Sequence, residues 1–207
     1  MSKDKFKPVP DIEMKIRLRS LLGIPQDHIV FLSVGSLIKR KDPLSIIKAF
    51  KDANYKNRAT LILLGDGELM EQCEKESNEN IILKGNVRNV TDYLQASDVY
   101  ISASKSEGLL NSVLEAGSCG LDLILSDIPQ HKEIFEGNLG LANFFEVGDI
   151  GALSTKINKA INKMSRDINY DLATYVENNF TNKVMSRNYE YIYYFILKDK
   201  TKNEMLR

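Results

Sequence analysis

Six short apolar runs mark the first 145 residues: HIVFLSVG (28–35), ATLILLG (59–65), NIILKG (80–85), SDVYISA (97–103), LDLILS (121–126) and LGLANFF (139–145). Each is strand-sized and apolar at neighbouring positions rather than at alternate ones. A strand with one face in water alternates; one covered on both faces reads as a near-continuous hydrophobic run. Helical patterns fill the intervals, over 43–52, 67–77, 89–96 and 112–118. The first begins Asp42-Pro43, an N-cap residue followed by the proline that suits a first helical turn, with Leu44, Ile47 and Ala49-Phe50 at helical spacing. Strand and helix alternate with short connections, which predicts an α/β domain with a right-handed, doubly wound, Rossmann-like parallel sheet.

Two terminal pieces fall outside the alternation. DIEMKIRLRSLL (11–22) reads as a helix ahead of the first strand. After residue 149 the pattern is helical to the end, closing on an aromatic stripe at Tyr189, Ile192, Tyr193 and Ile196. This divides the chain into a linker with a leading helix (1–24), the Rossmann-like domain (25–180) and C-terminal helices ending in a last one (181–207).

The 207 residues can bury a full core without covalent staples. Lys+Arg and Asp+Glu balance at 28 each, which removes any electrostatic argument for a nucleic acid partner. Cys73 and Cys119 stand alone, with no CxxC or histidine company, so a zinc site is disfavoured and a reduced, cytoplasmic setting is expected. The longest apolar runs are far below the ~20 residues that span a bilayer, and MSKDKFKPVP has no apolar segment of a signal peptide.

Ligands of open α/β sheets gather outside the carboxyl ends of the strands, so the residues after each strand matter most. GSLIKRKDP follows the first strand. Gly35 permits close approach, and Lys39, Arg40 and Lys41 gather charge just before a helix start, an anion site suited to phosphate. GDGE (65–68) follows the second, and SKSEG (104–108) the fourth. None is a Walker A loop or a GxGxxG fingerprint, which disfavours P-loop hydrolases and NAD enzymes.

SEGLLNSVLEAGSCG (106–120) carries two glutamates, Glu107 and Glu115. Ser112-x-x-Glu115 has the form of a capping box, with Ser112 as N-cap. The alternative is chemical: small residues after Glu115 let a ligand pack close, Glu107 has no capping duty, and carboxylates accept paired hydrogen bonds from a diol. Phosphates at one loop and hydroxyls at another point to a nucleotide sugar. His131 reads as a solvated loop histidine, with a sugar contact as the alternative, and His28 as a strand-edge residue.

From about residue 5 to 197 the chain resembles the C-terminal, donor-binding domain of retaining GT-B glycosyltransferases of group 1, glycosyltransferase family 4. FLSVGSLIKRKDPLSIIKAF, LILLGDGEL, IILKGNV, SDVYISASKSEGLLNSVLEAGSCGLDLILSDIPQHKEIF and FTNKVMSRNYEYIYYFIL follow the family's order, and Glu107 and Glu115 match its paired-glutamate spacing. The resemblance implies one half of a GT-B fold that binds a nucleoside diphosphate sugar. Lys41 would hold the diphosphate and stabilise the leaving group, Glu115 would take the ribose hydroxyls, and Glu107 those of the transferred sugar. It further implies substrate contacts at Gly35, Ser36 and Arg40, at Gly65, Asp66 and Gly67, at Asn86 and Val87 beside the base, and at Gly108, Leu109, Leu110 and Asn111. No divalent metal or cofactor is implied. The acceptor, a glycan or lipid, would be held by an N-terminal domain toward which 181–207 would pack, and without it this polypeptide should transfer little.

Three departures stand out. Ser36 replaces a common arginine that Arg40 is placed to supply, Leu109-Leu110 replaces an aromatic-glycine pair, and Pro129-Gln130 replaces a glycine pair. They leave open a non-catalytic nucleotide-sugar-binding module or a sugar-nucleotide epimerase.

Overall fold

A computed structural model describes residues 5–55, 57–163, 167–182 and the positions 184, 186, 187, 190, 191 and 193. In chain order the elements are α1 (Ile12–Leu22), β1 (Ile29–Val34), α2 (Pro43–Asp52), β2 (Ala59–Leu64), α3 (Met70–Glu76), β3 (Ile81–Leu83), α4 (Val90–Ala96), β4 (Val99–Ser102), α5 (Asn111–Ser118), β5 (Asp122–Ser126), α6 (Pro129–Ile134), a 3-10 turn (Leu139–Leu141), β6 (Asn143–Phe145), α7 (Ile150–Lys163) and α8 (Tyr170–Phe180). Six strands form one parallel sheet in the order β3-β2-β1-β4-β5-β6. The order reverses between β1 and β4. Two crossovers leave in opposite directions there, and their loops part to form a crevice at the carboxyl edge.

Continuous apolarity does what the sequence suggests. Phe31 faces a core built with α2, α3 and α7, whereas its neighbours Val30 and Leu32 face a second core with α4, α5 and α8. All three are fully buried. Each such side chain contributes about 1.5–3 kcal/mol by leaving water, so both faces of one strand stabilise the domain.

The leading helix is fastened electrostatically. Asp98, just before β4, accepts hydrogen bonds from Lys15 Nζ (2.6 Å), Arg19 Nη2 (2.7 Å) and the Val30 amide (2.7 Å). Arg19 spends its remaining donors on the carbonyls of Ala96, His28 and Gln26. The charged ends are nearly excluded from solvent, and the guanidinium fork is satisfied on every side.

Several expectations need correction. The run 139–145 is a 3-10 turn followed by a three-residue strand. The helix expected over 67–77 starts at Met70, because Gly65–Leu69 is held as a loop against the loop after β1. Asp42 directly precedes α2 as foreseen but does not cap it: its backbone is left-handed (φ 51°) and its carboxylate meets Lys105 Nζ at 3.1 Å. α6 had no sequence counterpart. Most of the expected closing helix, 181–207, lies outside the described residues.

Glycine is required where loops touch. The Leu37 amide donates to the Asp66 carbonyl and the Leu69 amide to the Leu37 carbonyl, both at 2.9 Å. A Cβ on Gly67 would lie 2.5 Å from that Leu37 oxygen. Gly67→Ala should therefore destabilise the domain by about 1–3 kcal/mol, the cost of overpacking against backbone. Denaturant unfolding measures it, and an unchanged midpoint would show that the two loops yield freely.

Candidate functional site

The loops after β1 and β4 close on each other across the crevice. The Lys105 amide donates to the Arg40 carbonyl (2.8 Å), and Arg40 Nη1 donates to the Ser106 carbonyl (2.7 Å) and approaches Glu107 Oε2 at 3.2 Å. At the centre, Lys41 Nζ sits 2.6 and 2.8 Å from the two oxygens of Glu107. The Ser104 hydroxyl donates to Glu107 Oε1 (2.5 Å) and receives the Ser102 hydroxyl at 3.2 Å. The Lys41 stem lies over Gly35, where an added Cβ would meet its Cε at 3.6 Å.

The Glu107 side chain is only 5% exposed. Burial works to raise its carboxyl, but the hydrogen bonds from Lys41 and Ser104 and the charges of Lys41 and Arg40 outweigh burial, and the group titrates below the usual carboxylate range. It is ionised throughout the physiological window. The stability that this clasp contributes is present above the ordinary carboxylate range and is lost as pH falls through the lowered value.

Glu115 is the opposite case. It lies in the second turn of α5, half-buried, with neither hydrogen bond nor ion pair to its carboxylate among the described residues. Desolvation raises its carboxyl, only partly offset by the charge of Lys5. The capping box is not formed. α5 begins at Asn111, so Ser112 is already inside the helix, where its hydroxyl accepts from Tyr100 (2.9 Å). Glu115 is thus a partly desolvated acceptor with no hydrogen-bond donor among the described residues. The Tyr100 hydroxyl, buried between the two glutamates, is pushed far up by burial, and the charges of Glu107 and Glu115 both add to that push.

The structure brings Gly35, Arg40, Lys41 and Glu107 together, and sets Ser36 exposed on the same rim. Arg40 meets the clasp through Nη1, which is shared between the Ser106 carbonyl and Glu107. Gly65, Asp66 and Gly67 pack against the loop after β1; the Gly65 amide donates to the Gly85 carbonyl (2.8 Å), and a Cβ on Gly65 would fall 2.1 Å from the Gly35 oxygen. Their first duty is to hold three strand ends together. Asn86 is exposed and Val87 packs its side chain toward the α4–α5 core. Gly108, Leu109, Leu110 and Asn111 lead into α5, with Leu109 82% exposed beside the crevice. His28 lies just before the central strand β1 and is hydrogen bonded through Nδ1 to Thr60 Oγ1 at 2.8 Å.

His131 is not the solvated loop residue expected. It lies in the first turn of α6 with 0% exposure. Burial holds its imidazole below the ordinary value, partly countered by the bond to the Ser126 carbonyl and the charge of Glu107. Ser102, Ser104 and Ser126, which join these groups, were also missed. The only trace in the sequence is the recurrence of serine at strand ends.

The model of the family described as glycosyl transferases group 1 matches residues 14–176, most of the chain. The chain is 30% identical over 185 residues to an Escherichia coli UDP-Gal:alpha-D-GlcNAc-diphosphoundecaprenol alpha-1,3-galactosyltransferase, covering 79% of this chain and 45% of that protein. It is 33% identical over 140 residues to an uncharacterized glycosyltransferase of Methanocaldococcus jannaschii, covering 60% of this chain and 34% of the relative. The chain thus spans less than half the length of these relatives. Among solved structures, a glycosyltransferase from Rickettsia africae superposes with TM-score 0.80 at 20% identity, over 96% of this chain and 56% of that one. Anabaena HepE in complex with UDP-glucose superposes with TM-score 0.78 at 19% identity, over 92% and 54%. The parallel sheet, the crevice at its switch point and the matched family model agree: the chain belongs to the group 1 glycosyltransferases and corresponds to the C-terminal, donor-binding domain of that family.

Proposed function

We propose that the crevice between β1 and β4 binds a nucleoside diphosphate sugar, and that within the whole protein the sugar passes to a glycan or lipid acceptor with retention at the anomeric carbon. The observation that carries this reading is the pairing of a buried, cation-clasped Glu107 with a half-buried Glu115 whose carboxylate has no hydrogen bond or ion pair among the described residues. Such a carboxylate is costly to keep unless a ligand completes it, and the two hydroxyls of a ribose are suited to do so. Lys41 and Arg40 sit where a diphosphate would lie, just ahead of α2, and supply the positive charge. The UDP-glucose complex of HepE and the UDP-Gal donor in the name of the E. coli relative support the nucleotide class.

In this reading Lys41 stabilises charge as it grows on the departing nucleoside diphosphate. Preorganised contacts of that kind are worth about 3–4 kcal/mol in the transition state. Glu107 orients the sugar and Glu115 the ribose. No metal ion or cofactor takes part.

Calorimetric titration with UDP and GDP tests the reading, and the Glu115 carboxylate provides its signature. Glu115→Gln should weaken binding by ~1–3 kcal/mol through lost charge-assisted hydrogen bonds. Because burial raises Glu115 and the clasp lowers Glu107, acidification protonates Glu115 first. Affinity should fall as pH drops into the carboxylate range, and that component should vanish in Glu115→Gln. Equal, negligible binding by wild type and Lys41→Ala would refute the site. Binding of donor without transfer in the whole protein would favour a non-catalytic module.

A further inference from the structure

We propose that His131 is a positioning residue for Glu107, acting through Ser126 and Ser104 as a fixed hydrogen-bond donor; the inference rests on the crevice being the donor site.

The directions of the hydrogen bonds follow from which groups can only accept. The Ser126 carbonyl lies 2.8 Å from His131 Nδ1 and cannot donate, so Nδ1 carries the proton. The Ser126 hydroxyl, 3.3 Å from the same nitrogen, donates to the Ser104 carbonyl at 2.6 Å and is left to accept from Nδ1–H. Ser104 in turn donates its own hydroxyl to Glu107 at 2.5 Å, with the Ser102 hydroxyl behind it. Two chains of donors therefore converge on Ser104, one at its hydroxyl and one at its carbonyl. Together they set the backbone from which Glu107 reaches Lys41.

The other ring nitrogen shows why this position holds a histidine at some cost. His131 Nε2 is buried and has no hydrogen-bond partner among the described residues. An unpaired buried polar atom is unfavourable, and leucine would fill the space without one. What leucine lacks is the Nδ1–H. A fully directed polar network specifies one loop geometry where apolar packing would allow several. The charged groups within reach of the ring are Glu107 and Lys41, the pair that the network positions. Ser126 ends β5 and His131 opens α6, so the strand next to β4 fixes the loop after β4.

Three variants of the full chain test this: His131→Leu, His131→Asn and Ser126→Ala. Asn places an amide N–H near the position of Nδ1–H and should rescue; Leu and Ala should not. The first readout needs no ligand. NMR titration should find the Glu107 carboxyl low in wild type and His131→Asn, and shifted up toward the ordinary carboxylate range in the other two. Ring nitrogen shifts should show wild-type His131 protonated at Nδ1 alone at neutral pH. The second readout is calorimetry with UDP and UDP-glucose. Affinity for UDP should persist in all three, whereas any affinity that wild type gains from the sugar should fall about three- to tenfold in His131→Leu and Ser126→Ala. A folded His131→Leu with an unmoved Glu107 titration overturns the proposal; if that variant does not fold, Ser126→Ala decides on the same readout. Loss of all nucleotide binding by wild type, with the Glu107 shift intact, would overturn the donor-site reading and leave the positioning network standing.

Discussion

Asp98→Ala is expected to lower the unfolding free energy by about 3–5 kcal/mol, the cost of stranding buried charge. The carboxylate is 1% exposed and accepts from Arg19 Nη2 and Lys15 Nζ at 2.7 and 2.6 Å. Removing it leaves an arginine whose side chain is 2% exposed beside a nearly buried lysine, and also frees the Val30 amide at the head of β1. The ion pair need not be worth that much in itself, since an apolar replacement of all three groups would avoid the desolvation altogether. Asp98→Asn separates the two ideas. It keeps an acceptor for the Val30 amide but cancels the charge, and should recover part of the loss. Chemical denaturation of the three proteins measures the series. A loss below about 1 kcal/mol in Asp98→Ala would mean that α1 swings out and hydrates its cations, as surface pairs do.

Lys41→Ala and Glu107→Gln should move nucleotide binding in opposite directions. Lys41→Ala removes the ammonium nearest the expected diphosphate and should weaken UDP or GDP by about 1.5–3 kcal/mol, the range for hydrogen bonds to charged groups. Glu107 now occupies that ammonium with both carboxylate oxygens, so it competes with a phosphate for Lys41 and repels it. Neutralising it should strengthen binding of the bare nucleoside diphosphate severalfold while weakening that of the nucleotide sugar, whose hydroxyls lose a charged acceptor. The two ligands therefore report on different halves of one ion pair. Parallel losses for both ligands in both variants would show that the pair only braces the loops.

The polarity of the clasp explains why two residues 66 apart in sequence behave as one unit. Lys41 precedes α2 and Glu107 follows β4, and those elements flank the point where the sheet changes direction. Lys105, between them, bonds to the Arg40 carbonyl by its amide and to Asp42 by its side chain, so the loops are joined by backbone as well as charge.

Much of this was legible before any coordinates. The runs around Phe31, Leu61 and Ile124 gave the strands because a chain covered on both faces must be apolar at every position, a local property. The positions of Lys41 and Glu107 at the carboxyl edge were also readable, since a residue just past a strand in a parallel sheet has one place to go. α6 was not, because its six residues are too few for a helical period to register. Nor was the role of Asp42, whose sequence context fits a cap while Lys105, from a distant loop, takes its carboxylate.

Sequence alone determined the doubly wound parallel sheet and put Lys41 and Glu107 just past strands that end at its carboxyl edge, because side-chain periodicity and strand polarity are written residue by residue. Tertiary structure alone decided that Glu107 is already spent on Lys41 while Glu115 has no hydrogen bond or ion pair among the described residues, that Ser112 does not form the capping box, and that His131 is buried behind the site. Those outcomes depend on which groups meet across the sheet and how much water is left between them, and neither is encoded in any one stretch of chain.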